Sequence, residues 1–319
     1  MPDFLGLPVM GRGALLHAVP AGEAVDAVSR AFLAHHRGEW TMPPKVYVGA
    51  YPAGDFRAMP AQGDGRAMLK WVTSFPGNPA RGLPTVMALV IVSSAEDGRP
   101  LALLEGATVT ALRTGAAAVL AAEVLARPDA SSASVIGLGP NGHASVRAFL
   151  ARGRSDVMVW DLDDARTAAV AAEPGVRAAS SREEALGADI VVTVTPGHEP
   201  LFAEGSLRPG QHVSLMGADG PGKAEIASAE LTRCAVFCDS WEQASHGGEL
   251  AHAVEAGLLE RGQVREIGAV LAGEVPGRRS DDEITIFDST GLAIQDLAIA
   301  VAALEQLDAL DGIPVIDLS

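Results

Sequence analysis

The second half of the chain alternates short, mainly apolar runs with segments of helical periodicity. The apolar runs are rich in Val and Ile and cover residues 134–137, 156–161, 189–194, 212–216, 234–239 and 284–287. Residues 141–150 and 164–172 have the pattern of helices, and Ser181 with Glu184 predicts a capping box that begins a third. Strands that are apolar on both faces and alternate with helices are typical of right-handed βαβ units. This half therefore predicts an α/β fold with a Rossmann-type doubly wound parallel sheet.

The first part of the chain predicts a mixed α/β domain. Residues 22–37 have the spacing of an amphipathic helix that ends at Gly38. The apolar face of this helix comprises Val25, Val28 and Phe32. Residues 85–93 form an apolar run of strand length, residues 110–127 form an alanine-rich helix, and a last helix is predicted over 292–307. Because no repeat or low-complexity linker interrupts these elements, we expect two domains within one compact chain.

Charge and cysteine content narrow the classes of function. The formal net charge is −16, and a field of that sign repels nucleic-acid phosphates and anionic lipids. The two cysteines, Cys234 and Cys238, flank a predicted buried strand and are expected to be apolar core groups. No nearby histidine pair completes a zinc site, so no metal is expected. The first residues resemble no secretory signal and no uncharged apolar run spans a bilayer, which favours a cytoplasmic protein.

A glycine motif at the first strand of the parallel sheet predicts a dinucleotide site. Gly137, Gly139 and Gly142 follow G-x-G-x-x-G between a predicted strand and a predicted helix, with Asn141 inside the loop. Such a loop brings backbone amides close to a pyrophosphate, which the helix N-terminus stabilises. Asp161 ends the next strand and is placed to accept both ribose hydroxyls. Acidic neighbours of Asp161 favour NAD, while Arg166 leaves NADP open.

Two cations in apolar surroundings require a partner. Lys70 interrupts the run 68–72, and Arg113 lies in the apolar start of the helix over 110–127. Buried lysine and arginine are rarely unpaired, and a bound carboxylate would be a suitable partner. Two other arrangements would also account for these cations in apolar segments. One is an internal salt bridge, and the other is a buried aliphatic stem whose charged end reaches solvent.

An acid after another strand predicts proton chemistry. Asp219 follows the apolar run 212–216, at the edge of an α/β sheet where ligands bind. A carboxylate there can exchange a proton with water, ammonia or an amine. The alternative is that Asp219 caps a helix near residue 224. Lys223 and Glu225 are interpreted as a surface pair that orients this segment.

Motifs along nearly the whole chain resemble the ornithine cyclodeaminase and mu-crystallin family, which includes alanine dehydrogenases of the archaeal type. The matching blocks are Met42-Pro43-Pro44-Lys45, Phe56-Arg57-Ala58-Met59-Pro60, Lys70-Trp71-Val72, Gly82-Leu83-Pro84-Thr85-Val86, Thr110-Ala111-Leu112-Arg113-Thr114-Gly115-Ala116, Gly217-Ala218-Asp219, Pro221-Gly222-Lys223-Ala224-Glu225 and Ser289-Thr290-Gly291-Leu292-Ala293. So many blocks in one order are a specific resemblance.

The resemblance implies roles for these residues. Residues 1–127 with 296–319 would form a substrate-binding and dimerisation domain, and 128–295 an NAD-binding Rossmann domain. Asp219 would be the catalytic acid/base, with Lys70 as a second catalytic residue. The candidate substrate-binding residues are Lys45, Arg57, Lys70 and Arg113. The candidate cofactor-binding residues are Thr85, Arg113, Thr114, Gly137, Gly139, Asn141, Gly142, Asp161, Thr195, Ser289 and Gly291.

Two departures from the family pattern bear on function. Members commonly carry glutamine and alanine where this chain has Asn141 and Gly142, so packing of the loop is expected to differ. The branch that processes ornithine has a glutamate where this chain has Arg57, and an arginine there would repel a terminal ammonium. The combination of Lys45 with Arg57 resembles the alanine dehydrogenase branch instead.

The resemblance therefore implies an NAD(H)-dependent oxidoreductase that transfers a hydride at Cα. Its partner would be a small α-amino acid, or the corresponding imine or 2-oxo acid, and the protein would be a homodimer. One alternative is a lyase of the ornithine cyclodeaminase type that recycles NAD in its site. Another, from a different class, is a cofactor-dependent binder of small ligands, as in the mu-crystallin branch.

Overall fold

A computed structural model of the protein describes residues 6–197, 199–218, 220 and 222–318. Its strands are β1 (Gly6–Met10), β2 (Val46–Ala50), β3 (Gly54–Gly63), β4 (Arg66–Ser74), β5 (Val86–Ser94), β6 (Pro100–Glu105), β7 (Ala133–Ile136), β8 (Val157–Trp160), β9 (Val176–Ala178), β10 (Ile190–Thr193), β11 (His212–Leu215), β12 (Ala235–Cys238), β13 (Val264–Glu266), β14 (Thr285–Asp288) and β15 (Val315–Asp317). Its α-helices are α1 (Arg12–Ala18), α2 (Ala21–His36), α3 (Gly106–Leu125), α4 (Pro140–Ala151), α5 (Asp164–Ala171), α6 (Arg182–Leu186), α7 (Ser228–Leu231), α8 (Trp241–Gly247), α9 (Ala251–Glu255), α10 (Ile267–Leu271) and α11 (Ala293–Glu305). Short 3₁₀ helices cover Asn78–Arg81, Arg261–Gln263 and Leu307–Ala309.

The chain divides into two compact units. The first unit is Met1–Arg113 with Leu292–Ser319, and the second is Thr114–Gly291. The first boundary lies within α3, whereas the sequence pattern placed it after this helix. Helix α3 contributes to both cores, because Arg113 pairs with Asp296 of α11 and the next turn packs through Gly115 against α4. The assignment of one part to substrate and dimerisation and the other to NAD stays a prediction.

The first unit is a seven-stranded mixed sheet covered on one face by helices. The strand order is β15-β1-β6-β5-β4-β3-β2, and only β1 with β6 pairs in parallel. Asp64 and Gly65 both have positive φ between β3 and β4, which is the geometry of a type I′ hairpin turn. Helix α2 packs on α11, where Ala27 and Ala31 cluster with Ala298, and the predicted apolar face of Val25, Val28 and Phe32 is buried. Gly38 follows the end of α2 with φ +75°.

The opposite face of this sheet is apolar and exposed. Side chains on it belong to Val46, Val48, Leu69, Trp71, Met87, Leu89 and Ile91. Trp71 is 40% exposed and stacks on Phe56 with ring centroids 5.6 Å apart. Strand β4 is apolar on both sides because the sheet needs cover on both sides.

The second unit is an eight-stranded sheet in which every described pair is parallel. The order is β13-β12-β14-β11-β10-β7-β8-β9, so the direction of winding reverses between β7 and β10. The fold class predicted from the sequence is confirmed: a Rossmann-type sheet and a mixed α/β unit. Ligands of such sheets bind outside the carboxyl ends of the strands, at the point of reversal.

Helix α3 is a core helix. It is long and apolar enough to cross a membrane by length and composition, but 78% of that window is buried inside the protein. A Cβ on Gly115 would lie 2.5 Å from the carbonyl carbon of Ala144, so the helix packs tightly on α4. Helix α3 begins earlier than residue 110, because the Glu105 carboxylate accepts hydrogen bonds from the amides of Ala107 and Thr108, both at 2.8 Å.

The predicted capping box at α6 is half formed. Ser181 Oγ accepts a hydrogen bond from the amide of Glu184 at 3.1 Å, and the helix begins there. The Glu184 carboxylate turns to the amide and hydroxyl of Ser180 instead of the amide of Ser181. The reciprocal bond is therefore displaced by one residue.

Candidate active site

Lys70 and Arg113 share one carboxylate inside the first unit. Lys70 is 1% exposed, and its Nζ donates to Asp296 Oδ2 of α11 at 2.5 Å. Arg113 Nε lies 3.4 Å from the other oxygen, Asp296 Oδ1, and its terminal nitrogen donates to Gln295 at 3.5 Å. The sequence left a bound carboxylate and an internal salt bridge open as explanations. The structure contains the salt bridge, and its acid was missed.

This ion cluster carries more positive than negative charge. Burial lowers the pKa of Lys70 to about 8, and the charges of Arg113 and Lys45 act in the same direction, while Asp296 opposes them. Two cations, Lys70 and Arg113, thus share one carboxylate. Among the described residues, Arg113 Nε and Asp296 Oδ1 are buried without a hydrogen bond. A small anion would be stabilised by the excess charge.

Arg57 lies on the same sheet face as Lys70 and is already ion-paired. It is opposite Val72, two residues along β4 from Lys70. Its guanidinium donates to Asp55 at 2.6 and 3.3 Å and lies 5.4 Å from the ring centre of Tyr47. The expectation that Arg57 repels a substrate ammonium is therefore weakened, because Asp55 compensates its charge. A local Asp-x-Arg pair on one strand face was the signal available in the sequence.

The glycine loop of the second unit has the geometry of a dinucleotide cradle. Gly137 has φ +90°, and a Cβ there would lie 2.6 Å from the carbonyl oxygen of Val194. Gly139 precedes α4 with open space around its Cβ position. A Cβ on Gly142 would lie 1.8 Å from the Gly137 carbonyl oxygen, so this backbone has no room for the family's common alanine. Asn141 lies half-buried in the first turn of α4.

Asp161 stands at the end of β8 beside this loop. Its carboxylate accepts from the amides of Leu138 at 2.6 Å and Asp163 at 2.9 Å, and Arg166 lies 3.2 Å away. Burial opposes ionisation, but the two amides and the Arg166 charge prevail and lower the pKa of Asp161. The carboxylate stays ionised as a hydrogen-bond acceptor. Because Arg166 is engaged by Asp161 and Asp163, this edge favours NAD over NADP.

Glu225 was interpreted as part of a surface pair, and this was wrong. It is 1% exposed, and its carboxylate accepts from Thr193 Oγ1, from the amide and hydroxyl of Thr195, and from the Gly217 amide. Its partners lie 8 to 32 residues away along the chain, so no local pattern identified it. Thr195, a candidate cofactor contact, is thereby held at the end of β10.

Ser289 and Gly291 are organised by an acid that sequence reasoning also missed. Asp239, at the end of β12, accepts from Ser289 Oγ at 3.2 Å and from the Gly291 amide at 2.8 Å. Its position directly after an apolar strand was the available signal.

The other candidate residues have less distinctive surroundings. Thr85 is half-buried before β5, and its carbonyl accepts from the Phe75 amide. Thr114 is buried on α3. Asp219 lies outside the described residues.

Comparison with known proteins places this geometry among amino-acid and imino-acid enzymes. The chain is 44% identical over 291 residues to alanine dehydrogenase from Archaeoglobus fulgidus, which covers 89% of each protein. The structure matches an archaeal alanine dehydrogenase dimer with bound NAD at a TM-score of 0.92 and 38% identity, covering 99% of this chain and 100% of that one. It matches Δ1-pyrroline-2-carboxylate reductase from Thermococcus litoralis, solved with NADH and L-proline, at a TM-score of 0.89 and 29% identity, covering 96% and 99%.

A family model extends the match over most of the chain. The model of the ornithine cyclodeaminase/mu-crystallin family matches residues 16–309. This range includes both the ion cluster around Asp296 and the glycine loop. The resemblance inferred from the motifs is confirmed, and the chain belongs to the ornithine cyclodeaminase/mu-crystallin family.

Proposed function

We propose that this protein is an NAD(H)-dependent oxidoreductase that transfers a hydride at Cα of a small α-amino acid, or to the corresponding imine or 2-oxo acid. The observation that carries the proposal is the pair of cations, Lys70 and Arg113, that share the single carboxylate of Asp296. The cluster has the charge needed to hold one more carboxylate. The relatives with NAD, NADH or L-proline in their structures support the same chemistry.

Each half of the reaction has candidate residues. Lys70, Arg113 and Lys45 hold the substrate carboxylate, which orients Cα for hydride transfer. Backbone amides of the loop 137–142 hold the pyrophosphate, and Asp161 accepts the ribose hydroxyls. The further candidate cofactor contacts are Thr85, Thr114, Thr195, Ser289 and Gly291. Bound NAD supplies the hydride acceptor, and Asp219 takes the proton as the amine becomes an imine and water adds.

A spectrophotometric screen tests the proposal. Amino acids are supplied with NAD, and 2-oxo acids with ammonia or cyclic imines are supplied with NADH and NADPH. We expect a change in absorbance of the nicotinamide with a small substrate that carries a single carboxylate. Ammonia release without accumulation of NADH would instead indicate a cyclodeaminase. Tight ligand binding without turnover across the whole panel would indicate a binding protein and contradict the proposal.

The pH dependence of substrate affinity is expected to follow Lys70. Below pH 8 the buried ammonium is charged and attracts the substrate carboxylate, whereas deprotonation above pH 8 removes that charge. The affinity for a 2-oxo acid, which has no amine to titrate, should fall by up to about tenfold per pH unit above 8. The measurement is the KM of the 2-oxo acid between pH 6 and 10. In Lys70→Arg this decline should vanish, and a flat profile in the parent protein would contradict the role of Lys70.

We also propose that the protein is a cytoplasmic homodimer that covers the exposed apolar face of the first unit. The face contains Trp71, Leu89 and Ile91, and an apolar area of this kind on a sheet needs a partner surface. The archaeal relative solved as a dimer supports a second copy as that partner. Two free cysteines, one of them fully buried, fit a reducing compartment.

A charge on this face is expected to dissociate the dimer. In a two-fold interface Leu89→Glu introduces the charge twice, so the variant should migrate as a monomer in size exclusion with light scattering. Leu258→Glu is the control, because Leu258 is similarly exposed but belongs to the second unit. If Leu89→Glu and the parent protein have the same mass, the face is not the interface.

A further inference from the structure

Glu225 joins the ends of two central strands in the second unit. Its Oε1 accepts from the amide and the hydroxyl of Thr195, both at 2.7 Å, just after β10. Its Oε2 accepts from Thr193 Oγ1 at 2.7 Å and from the Gly217 amide at 3.0 Å, just after β11. Each oxygen of the carboxylate therefore accepts two hydrogen bonds. A side chain with an acceptor at both terminal positions satisfies these four donors, so an ionised glutamate fits and a glutamine does not.

The surrounding backbone leaves Glu225 no freedom to move. A Cβ on Gly217 would lie 2.2 Å from the Thr195 carbonyl oxygen and 2.6 Å from the Glu225 carboxyl carbon. The Glu225 amide donates to both oxygens of Glu249 at 2.9 Å. Burial, and then the charge of Glu225, raises the pKa of Glu249 to about 9. Burial also raises the pKa of Glu225, and the hydrogen bonds from Thr193, Thr195 and Gly217 oppose that rise.

The groups that Glu225 holds belong to the reaction site. A Cβ on Gly137 would lie 3.2 Å from the Thr195 methyl carbon, so Thr195 packs against the glycine loop. The Thr195 hydroxyl donates its proton to Glu225, so it offers only lone pairs to a cofactor. Gly217 precedes Asp219 by two residues in the sequence. A shift of Glu225 would thus disturb both the backbone at Gly217 and the proposed cofactor contact, Thr195.

We propose that Glu225 is a positioning residue, which orients Thr195 toward the cofactor and fixes the departure of the chain from β11 toward Asp219. This proposal rests on the proposed function for its effect on turnover. Its effect on cofactor binding stands on the geometry of the second unit alone.

The test is Glu225→Gln. The side-chain nitrogen of glutamine is a donor, and it would face the groups that donate to one of the two Glu225 oxygens. We expect kcat to fall about 10- to 100-fold, as is typical when support for a reacting group is lost. The dissociation constant of NADH, followed by fluorescence titration, should rise several-fold. Thr193→Val removes one bond to Glu225 from a buried strand position and should lower kcat several-fold, which keeps the test available if Glu225→Gln does not fold.

Glu230→Gln is the matched control. Glu230 is fully buried in the same unit and accepts from the amides of Gly205 and Leu207 and from Arg233, none of which is a candidate site residue. The Glu230→Gln protein should be less stable than the parent protein. Its kcat and its NADH dissociation constant should stay within about twofold of the parent values. A general packing defect would affect the two variants alike.

A double-mutant cycle separates positioning from a structural role. If Glu225 acts on the cofactor through Thr195, the effects of Glu225→Gln and Thr195→Val on the NADH dissociation constant are not additive. Additive effects, or a Glu225→Gln protein with unchanged kcat and NADH affinity, would overturn the proposal. If the parent protein binds NADH but turns over no substrate, the proposed function fails, and the NADH titrations still decide the role of Glu225.

Discussion

Replacement of Asp296 by asparagine is expected to lower the free energy of unfolding by about 3–5 kcal/mol at neutral pH. Asp296 is completely buried and is the acid that faces both Lys70 and Arg113. Without it, two cations remain in the core with no compensating charge. The loss should be measured by urea unfolding monitored by circular dichroism. One slope of the unfolding free energy against urea concentration is used for both proteins only if the transitions of the parent and the variant are parallel.

The pH dependence of this loss identifies its cause. Lys70 can release its proton as the pH rises, whereas Arg113 stays charged at every accessible pH. The destabilisation of Asp296→Asn should therefore be larger at pH 6 than at pH 9. Adding Lys70→Met should restore part of the stability, because it removes one of the two uncompensated charges.

Asp64→Asn is the control for loss of an ordinary ion pair. Asp64 pairs with Arg66 at 3.1 Å on the surface of the same unit, and asparagine tolerates its positive φ. We expect a change of at most about 1 kcal/mol. An Asp296→Asn protein as stable as Asp64→Asn would refute the shared buried carboxylate as a determinant of stability.

Replacement of Asp219 by asparagine is expected to lower turnover by at least about 10²-fold, while NADH affinity stays largely unchanged. The reason is chemical: an amide neither accepts nor releases the proton that moves when the amine becomes an imine. The position follows β11 in the sequence, and chain segments that follow parallel strands commonly carry ligand-binding residues. The measurement is steady-state turnover with the substrate found in the screen, together with NADH titration.

Asp156→Asn is the matched control for Asp219→Asn. Asp156 is an exposed acid of the same unit with φ +64°, which asparagine accommodates, and its partner is Arg177. Its turnover should equal that of the parent protein. An active Asp219→Asn enzyme would remove Asp219 from the role of acid/base and leave Lys70 as the remaining candidate.

Local signals in the sequence were sufficient for the central strands of the parallel sheet and for the dinucleotide loop. Six of its eight strands were predicted to within about two residues, because each is mainly apolar on both faces, whereas the edge strands β9 and β13 were missed. The glycines at 137 and 142 were predicted from their spacing, and their backbone geometry gives the physical reason for each. In the same way, the buried face of α2 followed from its helical spacing.

The sites of Glu225 and Asp296 were beyond such signals. Glu225 lies two residues after Lys223 in a polar segment, and that local pattern is typical of a surface pair. Its burial depends on Thr193, Thr195 and Gly217, which the sheet brings together. The exposure of Trp71 was also not predictable, since a strand that is apolar on both faces does not reveal which face its own helices cover.

The sequence by itself determined the fold class, the glycine loop with Asp161, and the presence of buried cations that need a partner. Neighbours along the chain carry this information, because periodicity and backbone conformation are local properties. Only the tertiary structure decided that Lys70 is paired with Asp296, 226 residues away. Charge balance in a core depends on which strands and helices meet, and that is a property of the topology.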